Sequence, residues 1–180
     1  YKFAQELSDG SFIAEKSGLD DINRFIRIHL DGSEEVIFTP GFDFMESLSV
    51  NDSLICWNER NYDPRWANRD YSVIKIYDFK NKKLKQITKR SRLFSPSMSN
   101  NADVIVAVDV SSLNEYYLSF IDIETGEEIS SFSTKDNLFF MNPSWSHDDN
   151  FVVAIVLGEY GKSIIKIDVK PADYEYLLPF

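Results

Sequence analysis

The stretch SWSHDDNFV at residues 144–152 places a Ser-x-Ser element before a polar turn and an apolar strand. The same order returns as SMSNNADVI at 97–105 and as SLSVNDSLI at 47–55, with a weaker copy, LSDGSFI, at 7–13. With Leu7, Ser49, Ser99 and Ser146 taken as equivalent, the copies lie 42, 50 and 47 residues apart. Self-similarity at this period, carried by strands alone, is typical of β-propeller blades.

The strands that follow these turns differ from the outer strands of each unit. Residues 104–108 and 151–157 are apolar at every position, which predicts burial on both faces, as between two neighbouring blades. Outer segments such as 83–88 and 128–132 alternate apolar and polar residues, which predicts one buried face. A buried helix is the rival interpretation of the apolar runs, but their β-branched residues and flanking turns oppose it.

The chain is therefore predicted to be all-β, with about four blades of four antiparallel strands in one partial propeller over residues 1–180. The predicted blades cover about residues 1–38, 42–88, 93–132 and 140–178.

Composition limits the class of partner. Apolar residues make up 43% of the chain and aromatic residues 14%, which indicates a globular protein. The net charge of −10 disfavours binding to nucleic acid, because phosphate contacts need a basic surface. No apolar run is long enough to span a membrane. The single cysteine, Cys56, cannot form an internal disulfide and is predicted to pack as a small hydrophobe.

Three segments resemble the repeat of the TolB-type, WD-repeat-like β-propellers, which reads roughly Pro-x-Trp-Ser-Pro-Asp-Gly, then an apolar strand, then Ile-x-x-x-Asp-x-x-Gly. They are SWSHDD at 144–149, DGS at 31–33 and IDIETG at 121–126. His147 stands where the family usually has Pro, and Asp149 where it usually has Gly. The resemblance covers essentially the whole chain and concerns the fold more than the function.

The resemblance carries three implications. A closed propeller of this family usually has six or more blades, so four blades would leave an apolar face at each end. We expect missing blades or self-association to cover these faces. TolB-like propellers act mostly as interaction platforms in the bacterial cell envelope, which implies a periplasmic or envelope location.

No residue pattern predicts catalysis or metal binding. The chain has no Gly-x-Ser-x-Gly elbow, and the sequence neighbours Ser146, His147 and Asp148 do not by themselves form a triad. Zinc motifs are absent, and pairs of adjacent carboxylates lack the spacing of a calcium loop. We therefore predict no catalytic residue, no metal site and no cofactor.

The long connection of the second unit, residues 58–70, is the first candidate for a binding surface. It concentrates arginine and aromatic residues, the types enriched at binding hot spots, and long loops on rigid scaffolds often carry function. The candidate binding residues are Arg60, Tyr62, Arg65, Trp66, Arg69 and Tyr71. A structural insert is the alternative, in which Trp66 packs on the neighbouring blade and the arginines pair with acidic residues of the same loop.

A second feature is the basic segment from Lys75 to Arg92, which holds eight basic residues and one acid, Asp78. It could dock an acidic partner or a lipid headgroup. Alternatively, it is a solvated outer hairpin whose lysines protect an edge strand from pairing with other chains.

Three functions remain open from the sequence. The first is a non-catalytic scaffold that binds a protein or a small ligand on its loop face. The second is an accessory or substrate-gating propeller domain of a larger hydrolase or peptidase whose catalytic domain lies outside this chain. The third is a glycan-active enzyme that uses paired carboxylates, for which Glu59 with Asp63 or Asp70 would be the candidates.

Overall fold

The computed structural model describes residues 1–18, 21–41, 44–65 and 70–169, and within these ranges all helical or strand structure is β-strand. Within the described residues, fifteen strands form four antiparallel sheets. The first two sheets contain β1 (Lys2–Glu6), β2 (Phe12–Gly18), β3 (Asp21–Ile28) and β4 (Glu34–Phe38), then β5 (Phe44–Val50), β6 (Leu54–Tyr62), β7 (Asp70–Asp78) and β8 (Lys83–Gln86). The other two contain β9 (Phe94–Met98), β10 (Val104–Val110), β11 (Tyr116–Asp122) and β12 (Glu128–Phe132), then β13 (Phe139–Trp145), β14 (Phe151–Gly158) and β15 (Gly161–Asp168).

Each sheet is a meander in which strands pair in chain order. The first strands of neighbouring sheets contact one another, β1 with β5, β5 with β9 and β9 with β13, so they lie around a shared centre. This arrangement is four blades of a β-propeller, and it confirms the predicted fold class. The fourth strand predicted for the last blade falls after residue 169, outside the described residues.

The strand β10 is buried on both faces, as its continuous apolar run predicted. Its side chains alternate between two clusters. Ile105 and Ala107 pack with residues of the second blade, whereas Val104, Val106 and Val108 pack with residues of the fourth. The run is apolar throughout because each face of this strand meets a different blade.

Burial of β14 differs from the prediction. Val152, Ala154 and Val156 are buried against the third blade, but the alternate residues are partly exposed and Leu157 is 44% exposed. The sequence predicted burial on both faces of residues 151–157. Among the described residues no blade packs on the second face of β14, so only one face is covered.

Strand pairing also corrects the register of the repeat. Val50, Met98 and Trp145 occupy the same position, opposite the second residue of β6, β10 and β14 respectively. Ser49 is therefore equivalent to Ser97 rather than to Ser99.

The cause is a shorter turn in the second blade. Its closing hydrogen bond joins Asn51 N to Leu54 O, whereas Ser99 N bonds to Val104 O in the third blade. The Asn51 side chain caps the shorter turn by accepting hydrogen bonds from the backbone of Ser53 and Leu54. In the third blade the Ser99 hydroxyl performs this role for Val104 N.

Three of the innermost strands carry a left-handed residue at equivalent positions. Phe3, Ser95 and Asn142 have φ values of 52°, 49° and 47°, and the pairing register shifts beside each of them. Such a residue marks a β-bulge, which bends the strand locally. Proline follows at positions 96 and 143, where an edge strand facing the centre loses no ladder hydrogen bond.

The turn of the fourth blade has the conformation expected of the family's glycine. Asp149 has a φ of 55°, and its carboxylate accepts hydrogen bonds from Asn100 N and Asn101 N at 2.6 and 2.9 Å. Aspartate tolerates the left-handed region better than most residues, and here its side chain also ties the fourth blade to the turn of the third.

Candidate functional site

The predicted binding residues lie where β6 and β7 meet at one end of the second blade. Tyr62 is the last residue of β6, and Asp70 and Tyr71 begin β7. Arg65 lies in the turn between these strands. Trp66 and Arg69 fall outside the described residues, so their predicted roles stay predictions.

Two features that are separate in the sequence, the long connection and the basic segment, meet at this end of the blade. A cavity of about 360 Å³ is lined by both predicted tyrosines and by two cations of the basic segment. Its lining residues are Asn61, Tyr62, Asp63, Pro64, Tyr71, Val73, Gln86, Lys89 and Arg90. Lys89 and Arg90 lie far from the tyrosines in sequence, and the pairing of β7 with β8 brings them to the same end of the sheet.

The inner part of the cavity holds a carboxylate. Asp63 is 8% exposed, and its Oδ1 accepts a hydrogen bond from Arg65 N at 2.9 Å. Its Oδ2 accepts a long hydrogen bond, 3.4 Å, from the Tyr71 hydroxyl. These bonds fix the start of the loop and orient the Tyr71 ring.

The turn that carries Lys89 and Arg90 is held by hydrogen bonds on both sides. Thr88 Oγ1 accepts a hydrogen bond from Ile74 N at 2.9 Å, and Ser91 exchanges two backbone hydrogen bonds with Ser72. The Ser91 hydroxyl donates a further one to Ser72 O at 2.7 Å. The two cations therefore stand on a fixed turn.

Two further features of Arg90 concern its backbone and its guanidinium. Its φ is 49°, in the left-handed region that large side chains rarely adopt. Its guanidinium lies 5.6 Å from the centroid of the Tyr71 ring, within the range of a cation–π interaction. Backbone strain of this kind is often found at functional sites.

The predicted arginines of the loop do not join the cavity. Arg60 Nε lies 3.9 Å from Asp70 Oδ2, a partly exposed pair that agrees with the structural alternative considered for this loop. The Arg65 side chain is exposed and does not line the cavity. Among the described residues, the cavity thus brings Tyr62 and Tyr71 together with Lys89 and Arg90, two cations that no sequence pattern linked to these tyrosines.

Other cations of the basic segment hold the structure together. Lys85 Nζ donates hydrogen bonds of 2.8 Å to the carbonyls of Ile123 and Glu124, in a turn of the third blade. Arg92 donates to Ser111 O at 3.2 Å. The interpretation as a solvated hairpin describes Lys80, Lys82 and Lys83, which are exposed.

Glu59, a candidate for carboxylate catalysis, is part of the protein interior. Its Oε2 contacts Lys75 Nζ at 2.5 Å, and its Oε1 accepts hydrogen bonds from Trp57 Nε1 and Gly41 N. Burial acts to raise the pKa of Glu59, but the hydrogen bonds from Lys75, Gly41 and Trp57 outweigh it and bring the pKa below its ordinary value. Glu59 does not line the cavity next to Asp63.

The Ser146, His147 and Asp148 neighbours form a capped turn. The Ser146 hydroxyl donates to Asp148 Oδ1 at 2.7 Å and accepts hydrogen bonds from the backbone of Asn150 and Phe151. His147 is exposed and lines a polar cavity of about 280 Å³ between the innermost strands.

Burial raises the pKa of the Cys56 thiol, in line with its predicted packing role.

Within the described ranges the structure has neither a cluster of potential metal ligands nor a membrane-spanning helix. No group of three His, Cys, Asp or Glu side chains is arranged to hold a metal ion there. The same part of the chain has no helix with the length and apolar character needed to cross a membrane.

Comparisons with known proteins establish the fold. No protein-family model matches the chain, and no curated protein matches its sequence. Among solved structures, TolB from Acinetobacter baumannii has a TM-score of 0.72 and 11% identity, over 92% of this chain and 40% of TolB. An oligogalacturonate lyase from Vibrio parahaemolyticus has a TM-score of 0.67 and 14% identity, over 96% of this chain and 50% of the lyase.

The β-propeller domain of the Trilobed protease from Pyrococcus furiosus gives a TM-score of 0.56 and 14% identity. The match covers 93% of this chain and 55% of that domain. The chain thus spans about two fifths to just over half the length of these three structures. The four blades, and the structural match of the chain to TolB, show that this chain has the fold of a partial TolB-like β-propeller.

Proposed function

We propose that this chain is a non-catalytic propeller scaffold that binds a protein or a small ligand at the end of its second blade. The observation that carries the proposal is the meeting of Tyr62 and Tyr71 with Lys89 and Arg90 around one cavity. Tyrosine and arginine are enriched among residues that dominate binding energy. Because the sheet is stiff and the turn is fixed, binding at these side chains loses little conformational entropy.

The structural contacts of Glu59 support the proposal that this surface is non-catalytic. A carboxylate that accepts hydrogen bonds from Trp57 and Gly41, and pairs with Lys75, is occupied in holding the sheet. A paired-carboxylate mechanism needs two carboxyl groups that flank a substrate. Asp63 lies at the cavity, but Glu59 does not, so this pair lacks that arrangement.

The scaffold proposal is tested by partner capture from an extract of the protein's own cells, followed by mass spectrometry. The variant Tyr62→Ala/Arg65→Ala removes two exposed side chains at this end of the second blade, and we expect it to lose partners that the wild type retains. The matched control is Tyr160→Ala/Lys162→Ala, which removes a tyrosine and a basic side chain where β14 meets β15; Tyr160 is 98% exposed. Thermal unfolding checks that both variants fold. Identical partners for the wild type and the first variant would refute the proposal.

A second candidate is an accessory or substrate-gating propeller of a larger hydrolase or peptidase. Its support is the match of 93% of this chain to the propeller domain of the Trilobed protease. The sequence that flanks this segment in its parent protein decides between the candidates. A Gly-x-Ser-x-Gly or His-Glu-x-x-His motif beyond residue 180 would favour the second, and further propeller repeats with no catalytic domain would favour the first.

We also propose that further blades or self-association cover the outer blade faces. On the fourth blade Leu157 and Ile164 are 44% and 78% exposed, and on the first blade Phe12 is 40% exposed. Exposed apolar faces on terminal repeats favour association. Sedimentation of this segment, compared with the parent protein, tests the proposal. The envelope location is proposed from the TolB-like fold, and fractionation of the source cells would test it.

A further inference from the structure

We infer that the cavity of the second blade takes a carboxylate side chain from an acidic peptide segment of a protein partner. This inference rests on the proposed function and adds the chemical class of the partner. It is carried by the charge, the geometry and the walls of the cavity.

The charges that meet an incoming ligand are positive. Lys89 and Arg90 are exposed at the rim, whereas Asp63 is buried and accepts hydrogen bonds from Arg65 N and the Tyr71 hydroxyl. An arginine guanidinium matches a carboxylate with two parallel hydrogen bonds, and a neighbouring lysine adds a second cation. A carboxylate is therefore a better match for this rim than an amine or a neutral amide.

The rim is also fixed in place before a ligand arrives. Thr88 and Ser91 anchor the turn to β7, and Arg90 is held in the left-handed region and over the Tyr71 ring. Because the backbone of this turn and the Arg90 side chain have little freedom left to lose, more of the interaction energy is available for binding.

The walls favour a peptide over a small isolated anion. Tyr62 is 56% exposed at the cavity, and Pro64 and Val73 complete an apolar wall beside the two cations. A peptide that places an acidic residue next to an apolar or aromatic one would contact both the cations and the apolar wall. A free anion would use the cations alone.

Long-range charge argues against an extended polyanion. The segment from Lys75 to Arg92 carries a net +7, which leaves −17 for the rest of a chain whose net charge is −10. Nucleic acid or an anionic membrane would meet this surrounding negative potential. A short acidic segment would meet mainly the local positive field.

The test uses the whole 180-residue chain and a dye-labelled, end-blocked peptide in which four glutamates flank one phenylalanine. Its control is the same peptide with glutamine in place of each glutamate. By fluorescence anisotropy at low salt, we expect the acidic peptide to bind about tenfold more tightly than the control. Arg90→Gln and Lys89→Gln should each weaken binding about three- to tenfold. Lys83→Gln, an exposed lysine at the other end of β8, should leave it unchanged.

The inference fails if both peptides bind equally, or if Lys83→Gln weakens binding as much as Arg90→Gln. It also fails if duplex DNA or phosphatidylserine vesicles bind more tightly than the acidic peptide. Each of these three failures leaves the scaffold proposal standing, provided that Tyr62→Ala/Arg65→Ala still loses captured partners. Loss of the scaffold result, with the peptide result intact, would instead identify an acidic-peptide site without a partner in those cells.

Discussion

The Ser49 hydroxyl accepts a hydrogen bond of 2.9 Å from the backbone N–H of Met98, across the boundary between the second and third blades. The same contact recurs between the neighbouring pairs of innermost strands. Gln5 Oε1 accepts from Val50 N at 2.8 Å, and Ser97 Oγ accepts from Trp145 N at 3.3 Å. A side chain at one repeat position thus satisfies an edge N–H of the next blade, which would otherwise lack a ladder partner.

Removing one of these hydrogen bonds should weaken only the boundary between the two blades that it joins. We expect Ser49→Ala to lower the free energy of unfolding by about 1 kcal/mol, because Met98 N loses its acceptor. The matched control is Ser144→Ala at the equivalent position of the last blade, where the described residues supply no such donor, and its cost should be close to zero. Urea unfolding with an unchanged slope measures both. Equal losses of unfolding free energy in the two variants would contradict the proposed role of the Ser49 hydroxyl between the blades.

Gly126 should be far less tolerant of a side chain than Gly32. Both have a left-handed backbone, with φ of 76° and 80°, so an alanine at either position costs about 1 kcal/mol. At Gly126 a Cβ would also lie 2.5 Å from the carbonyl oxygen of Ile87 in the second blade, whereas Gly32 has nothing within 4 Å. We therefore expect Gly126→Ala to cost a further 1–3 kcal/mol or so.

Thermal and urea unfolding of Gly126→Ala and Gly32→Ala would measure this difference. Similar midpoints for the two variants would show that the blade contact at Gly126 relaxes without cost.

The Glu59–Lys75 pair should make stability depend on acid pH. The pKa of Glu59 in the folded chain lies below its ordinary value of 4.5, so the stabilisation is present above that pH. It is lost as the pH falls through the folded-state pKa. We expect Glu59→Gln to destabilise the chain by about 3 kcal/mol at pH 7, and by progressively less below about pH 4.5.

Urea unfolding as a function of pH checks the Glu59 prediction, with the exposed Glu127→Gln as the control. A cost of Glu59→Gln that stayed constant from neutral to acid pH would argue against a charged pair.

Ser95→Asn should stabilise the chain by about 0.5 kcal/mol. Ser95 has a φ of 49°, and asparagine accepts this left-handed conformation more readily than serine. Asn142 already occupies the equivalent bulge of the fourth blade, with a φ of 47°. Ser97→Asn provides the contrast, because it replaces the hydroxyl that accepts from Trp145 N and should destabilise. A lower urea midpoint for Ser95→Asn would show that another contact of Ser95 matters more.

Much of the fold followed from local pattern. The recurrence of polar turns and apolar strands identified blades, and the continuous run at Val104–Val108 was correctly interpreted as buried on both faces. The match of Ser49 to Ser99 was wrong because two fewer residues in one turn move a strand without changing its composition. Sequence comparison detects the spacing of residues, whereas hydrogen-bond register decides which of them are equivalent.

The candidate site was likewise predicted only in part from the sequence. Tyr62 and Tyr71 were singled out because their connection is long and rich in aromatic residues and arginine, and the excess of cations at Lys89 and Arg90 was also visible. Nothing local linked the two segments, since the antiparallel pairing of β7 with β8 is what joins them.

The sequence by itself determined that this chain forms strand-only blades, because turn residues and apolar runs act through short-range conformational preference and burial. Only the tertiary structure decided which side chains share a cavity, which lysines bind carbonyls of the next blade, and which face of β14 stays exposed. Those outcomes depend on contacts between blades, and such contacts exist only after the sheets have packed around a common centre.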